Sequence, residues 1–101
     1  MIRSLFCSII AVAMALPVSA VEKKQILLIA GRDSHGKGAH EHTAGVRLFA
    51  KELQESGLPV ETTIVEGGYP TDPSVFEGKD TVVIYCDGGG RHVVMKHLEQ
   101  F

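Results

Sequence analysis

Four of the chain's five histidines fall in two short polar stretches, GRDSHGKGAHEH from Gly31 to His42 and DGGGRH from Asp87 to His92. Imidazole titrates nearer neutrality than any other unperturbed side chain, so it suits proton transfer and metal ligation alike. His35, His42 and His92 form the candidate catalytic set, with Asp87 to orient an imidazole or accept a hydroxyl proton. Around them stand groups suited to holding a ligand. Gly88, Gly89 and Gly90 let the backbone approach closely and offer amides to a substrate oxygen, as Gly36 does in the first stretch. His40 can meet a substrate hydroxyl, and Arg91 can clamp an anion.

The same residues raise two other chemistries. Imidazole with carboxylate suits zinc or another divalent transition metal, and spacing nominates His35, His42 and His92 as ligands, with Asp33 and Glu41 close by. The chain has no His-Glu-x-x-His helix and no cysteine pair, so the metal rests on the donor types alone. Gly31, Gly36 and Lys37 also match the G-x-x-x-x-G-K of a phosphate-binding loop. Gly38 then stands where a Ser or Thr hydroxyl should meet magnesium, and the helix begins several residues late. Nucleotide hydrolysis is not expected, although loop amides can still hold an anion or a sugar hydroxyl.

Three apolar runs and one amphipathic stretch must position these loops. Gln25 to Ala30 and Thr81 to Cys86 are nearly unbroken apolar segments, the pattern of parallel strands covered on both faces. Val60 to Val65 is β-branched but carries Glu61 and borders Glu66, which suits a strand nearer the edge. From Thr43 to Ser56 the period changes: Val46, Phe49, Ala50 and Leu53 form a helical stripe, with Thr43 as the expected cap. Gly57 suits the left-handed position after the last turn, and Pro59 stops the helix. Gly45 costs about 1 kcal/mol against alanine in a helix interior, a cost explained by close approach to the sheet. Residues 67–80 read as loop, with one turn around Ser74 to Phe76.

The order strand, helix, strand, loop, strand opens a parallel α/β layer. Right-handed crossovers place the first and third strands side by side with the second outside the first. Ligands of such sheets sit beyond the carboxyl ends of the strands, where both histidine stretches emerge. Val94, Leu98 and Phe101 predict a terminal helix beginning after Arg91 or His92, with His97 on its polar surface. That helix stops without a capping glycine, and three strands with one helix cannot cover both sheet faces, so the expectation is an amino-terminal fragment of a flavodoxin-like α/β fold with helices on both faces.

Arg3, the apolar stretch Leu5 to Leu16 and the small-residue pattern Val18-Ser19-Ala20 predict a secretory signal peptide over residues 1–20, leaving a domain from 21 to 101. An exported protein, periplasmic or extracellular and without a stable membrane anchor after cleavage, is implied. Removing Arg3 leaves nine Lys and Arg against twelve Asp and Glu, and no basic stripe to neutralise phosphates, so nucleic acid is not an expected partner. Only Cys86 remains after cleavage, which excludes an internal disulfide; it is expected to be buried in its strand and not to serve as a nucleophile.

Taken together, Ile26 to Gly31, Ser34-His35-Gly36, His40-Glu41-His42, Tyr69-Pro70 with Asp72, and Asp87-Gly88-Gly89-Gly90 with His92 resemble the start of the ThuA-like (trehalose-utilisation) family of the class I glutamine amidotransferase-like superfamily. The resemblance runs from about Lys24 to Phe101. It implies a flavodoxin-like domain of greater length and a role in the catabolism of trehalose or keto-sugars, with a small carbohydrate as substrate. In glutamine amidotransferases a glycine-rich turn at the position of Gly88 to Gly90 supplies an oxyanion hole, and the nucleophile lies on a later elbow. The expectation is therefore an exported carbohydrate-processing protein, enzymatic when full length. A non-catalytic sugar-binding module, or an amidotransferase-like hydrolase with its nucleophile beyond residue 101, are the alternatives.

Overall fold

The computed structural model describes residues 19–101; the expected signal peptide lies almost wholly outside the described residues. It is an α/β arrangement of three parallel strands, β1 (Lys24–Ala30), β2 (Val60–Val65) and β3 (Thr81–Tyr85), with one α-helix, α1 (His42–Glu55), between the first two. The strand order is β2-β1-β3, as the crossover argument requires. The most apolar run takes the centre: Leu27, Leu28, Ile29 and Ala30 of β1 have no exposure at all. β2, which carries Glu61 and has no fully buried residue, takes one edge. Among the described residues no helix is long and apolar enough to cross a membrane.

Strand side chains alternate between faces, so β1 divides its burial. Leu28 and Ala30 meet Val46 and Ala50 of α1, with Ile26 and Val83 packed alongside. Gly45 allows this contact. A Cβ there would lie 2.5 Å from the Tyr85 ring, so the close approach expected of this glycine is real. Phe49 departs from the expected stripe: it is 45 % exposed, over an apolar hollow of about 280 Å³ shared with Leu28, Val83 and Tyr85.

The opposite face, carrying Leu27 and its register partner Val82, has no α-helix against it among the described residues. The terminal helix expected after Arg91 does not form. Gly89–Arg91 and Leu98–Gln100 are single 3-10 turns, and the chain between them closes through i to i+3 bonds such as Met95 N to His92 O at 3.0 Å and His97 N to Val94 O at 2.8 Å. A stretch this short, opening on glycines, nucleates an α-helix poorly by itself. Aromatic docking decides its course instead: the His97 ring stacks on Tyr69 at 3.8 Å, so it is not the free surface residue expected, and Phe101 meets Phe76 edge-on at 6.0 Å.

Loop chemistry completes the frame. The turn expected near Ser74 is a 3-10 turn over Pro73–Phe76, capped by Asp72, whose carboxylate accepts from the Ser74 amide at 2.9 Å. Gly57 takes the left-handed conformation after α1 at φ 76°. The other end of α1 is capped differently from the expectation. Thr43 does not cap; its amide donates to Asp33 Oδ1 at 3.0 Å, so the cap comes from the preceding loop folding back. Glu41 accepts from the Gly38 amide at 2.6 Å and closes that loop on itself.

Candidate functional site at the carboxyl rim of the sheet

Register builds the site. Ala30 lies opposite Tyr85, so β1 and β3 end level and release their loops side by side. The Gly31 amide donates to the Tyr85 carbonyl at 2.9 Å, carrying the pairing one residue further. A Cβ on Gly31 would lie 2.5 Å from Cys86 Cβ and 3.1 Å from its Cα, so only glycine lets the two chains leave the sheet this close together. Asp87 thus arrives beside the histidine loop.

Asp87 is the hub. Its Oδ1 accepts from Ser34 Oγ at 3.0 Å, lies 3.0 Å from His40 Nδ1 and 3.7 Å from His42 Nε2, while Arg91 reaches Oδ2 at 4.0 Å. Its carboxyl is held below the usual carboxylate range, first by the His40 hydrogen bond, then by that of Ser34 and by the charges of His40 and His42, against an opposing effect of desolvation. The carboxylate is therefore the acceptor from both Ser34 and His40.

That assignment fixes the imidazoles. Ser34 has one hydroxyl proton and gives it to Asp87, so His40 Nδ1, 3.2 Å from Ser34 Oγ and facing a carboxylate, carries its own proton as a donor. Neutral His40 then keeps its lone pair on Nε2, on a ring 52 % exposed. His42 is oriented from the other side. Its Nδ1 lies 2.9 Å from the Arg32 carbonyl, which can only accept, so Nδ1 donates and Nε2 is the atom turned toward Asp87. The His42 side chain is 3 % exposed and packs edge-on against Tyr85 at 4.9 Å. It opens α1, so helix, strand and loop all hold it in place.

His35 stands next to His40, with ring centroids 4.3 Å apart. Both take the left-handed conformation, His35 at φ 62° and His40 at φ 39°, uncommon for any residue but glycine. Gly36 and Gly38 do the same at φ 85° and 82°, so the loop is a tight coil whose shape presents the rings. His35, His40 and Asp87 each offer a ligand atom, and these atoms lie within 4.8 Å of one another.

Two hollows meet along Cys86 and Asp87. One, of about 220 Å³, is lined by His40, His42, Tyr85 and Gly88; the other, of about 300 Å³, by Arg32, Asp33, Ser34, Tyr69 and Arg91. His40, His42, Asp87, Gly88 and Arg91 of the expected set therefore line a common rim, and His35 adjoins it through His40. His92 stands apart: its Nδ1 accepts from the Val94 amide at 3.3 Å and it lines neither hollow. Gly89 takes φ 59° in the turn that follows, and the Gly88 and Gly89 carbonyls accept from Arg91 and His92. Gly36, Gly89 and Gly90 likewise fall outside the two linings. Ser34 is the residue whose part spacing understated, since nothing local marks a serine that hydrogen-bonds 53 positions away. Cys86 differs from its expected burial. It is half-buried just past β3, lines both hollows, and its thiol donates to the Asp87 carbonyl at 3.2 Å. No protein-family model, curated protein or solved structure matches the chain, so the site is read from its own geometry.

Proposed function

We propose that the protein is an exported, ThuA-like member of the flavodoxin-like class that processes a small carbohydrate, of the trehalose or keto-sugar kind, at the rim between β1 and β3. The observation that carries this reading is the convergence of Ser34, His40 and His42 on Asp87, next to hollows of sugar-ring dimensions. Such a cluster suits polyol chemistry. Arg32, Asp33, Tyr69 and Arg91 offer donors and acceptors to hydroxyls in the larger hollow. Asp87 holds His40 with its proton on Nδ1, which leaves Nε2 as a base toward a substrate hydroxyl or an acidic carbon beside a carbonyl. The Gly88 end of the smaller hollow is where backbone amides would meet the substrate oxygen. Cys86, whose thiol donates to the Asp87 carbonyl at 3.2 Å, is given no nucleophilic role in this reading, and a hydrolase of the amidotransferase type would take its nucleophile from beyond residue 101.

The test is direct. The full-length gene product is assayed for turnover of trehalose and its keto derivatives, and for binding of the same sugars by calorimetry. His40→Ala is expected to lower turnover by roughly 100-fold or more, the usual worth of a positioned acid–base group. His92→Ala is expected to leave it unchanged. Binding of a sugar with no turnover would reduce the reading to a sugar-binding module; neither binding nor turnover would sink it.

A further inference from the structure

We propose that the loop between β1 and α1, together with Asp87, forms a binding site for one divalent transition metal of the zinc class, ligated by His35, His40 and Asp87. The inference concerns the same rim as the sugar reading but does not depend on the substrate being a sugar.

Geometry carries it. His40 Nδ1, Asp87 Oδ1 and Ser34 Oγ form a triangle with sides of 3.0, 3.0 and 3.2 Å. Zinc bonds to nitrogen and oxygen of about 2.0–2.2 Å in a tetrahedron require ligand-to-ligand separations of about 3.3 Å. The His40–Asp87 side, which joins two of the proposed ligands, is thus within a few tenths of an ångström of one edge of such a tetrahedron, with Ser34 Oγ beside it. His35 brings a second imidazole whose ligand atom lies within 4.8 Å of those of His40 and Asp87, so a small movement of its ring reaches the tetrahedral spacing. The movement falls on a loop with glycines at positions 36 and 38, on rings that are exposed. Two imidazoles and one carboxylate are a common donor set for zinc sites that keep a fourth position for water or substrate, and Ser34 Oγ borders that position here.

The surroundings suit a cation. Binding displaces the proton from His40 Nδ1, and the neutral ligand imidazole then carries its proton on Nε2, so a metal-loaded site would not use His40 Nε2 as its base. His42 Nε2, 3.7 Å from Asp87 Oδ1 and too far for a hydrogen bond, is placed to accept one from a metal-bound water. Among the described residues Arg91 is the one cationic side chain on Asp87 other than the histidines; it sits at 4.0 Å on the other carboxylate oxygen and is 72 % exposed, so it can swing away. The ligand set differs from the one nominated by spacing. His35 stays, while His40 and Asp87 stand in place of His42 and of His92, whose Nδ1 accepts from the Val94 amide.

The experiment uses the full-length protein, stripped with chelator and free of sugar. Zinc is titrated by calorimetry and cobalt by visible absorption. The expected result is one equivalent bound, with the intense cobalt bands of a four-coordinate site. His35→Ala, His40→Ala and Asp87→Asn are each expected to weaken binding by roughly 100-fold or more, beyond the effect usual for outer-shell partners. His97→Ala, a histidine on the far face stacked on Tyr69, is expected to bind as the wild type does. Far-UV circular dichroism of each variant separates lost ligation from lost folding, and the exposed His35 keeps the test open should Asp87→Asn fail to fold. Absence of stoichiometric binding, or binding unchanged by His35→Ala and His40→Ala, would overturn the site. Sugar binding by stripped protein that takes up no metal would overturn this inference and leave the carbohydrate reading standing. Metal uptake without any sugar binding would do the reverse.

Discussion

β3 is bracketed by two aspartates that invite comparison. Asp80 precedes it and Asp87 follows it two residues past its end. Each carboxyl is held below its ordinary range by hydrogen bonds, and each joins β3 to the β1 side of the molecule. Their partners differ. Asp80 accepts from Lys24 Nζ at 2.8 Å and from the Gln25 amide at 2.7 Å, while its own amide donates to the Gln25 carbonyl at 2.8 Å. An ammonium and a backbone amide do not hand protons on at neutral pH, so this is a clamp that sets where β3 begins against β1. Asp87 accepts from a hydroxyl and an imidazole, groups that exchange protons and ligate metals. A lowered carboxyl pKa therefore marks both ends of the strand, and only the chemistry of the partners separates a fold anchor from a reactive centre.

Exchanging the two carboxylates for amides tests that distinction. Asp87→Asn is expected to give the largest effect, a fall in turnover of about 10²–10⁴-fold, well beyond what the modest drop in thermal midpoint from losing a hydrogen-bonded carboxylate would cause. Asn offers His40 no charged acceptor and lets its ring tautomer change. A large loss of thermal stability with intact turnover would reverse the roles assigned here.

Next in size is Gly31→Ala, which probes how closely β1 and β3 are held at the rim. The added methyl meets Cys86 main chain and Cβ, not the end of a flexible side chain, so strain of about 1–3 kcal/mol is expected in chemical denaturation. Turnover should fall with it, because Cys86 cannot retreat without moving Asp87. Wild-type stability in that variant would mean that the strand ends have more room than these distances allow.

Asp80→Asn is expected to act more weakly, lowering the melting temperature by a few degrees while turnover stays at the wild-type level. Its pair with Lys24 is solvent-exposed, with side chains 68 % and 38 % open, and exposed pairs contribute little. The smallest effect is the pH dependence of that difference. Because the folded-state pKa of Asp80 lies below its unfolded value, its contribution is complete above the ordinary carboxylate range. It disappears as pH falls through the lowered value. Wild type and Asp80→Asn should therefore differ at neutral pH and converge in acid; a gap that widens on acidification would contradict the clamp.

The expectations that held were those resting on strong local signals. A fully apolar run such as Leu27 to Ala30 has nowhere to go but the centre of a sheet, and a single helix between parallel strands admits one handedness. Gly57 and Gly45 were legible for the same reason, one as a left-handed stop and the other as a gap in a helix face. The terminal segment was not. Val94, Leu98 and Phe101 have helical spacing, yet Tyr69 and Phe76, far away in the chain, capture His97 and Phe101 and hold the chain in short turns. Asp33 was unreadable as a cap because it acts from ten residues upstream of Thr43.

Residue types and strand order determined that two histidine-bearing loops leave the same rim of a parallel sheet, because apolar pattern and crossover handedness are properties of the chain itself. Which side chains meet there was decided only in three dimensions. Ångström-scale choices follow from the register of Ala30 on Tyr85, the left-handed turns at His35 and His40, and the contact at Gly31. These brought Ser34 and His40 onto Asp87 and turned His92 away, and none of them is encoded in the spacing of residues along one line.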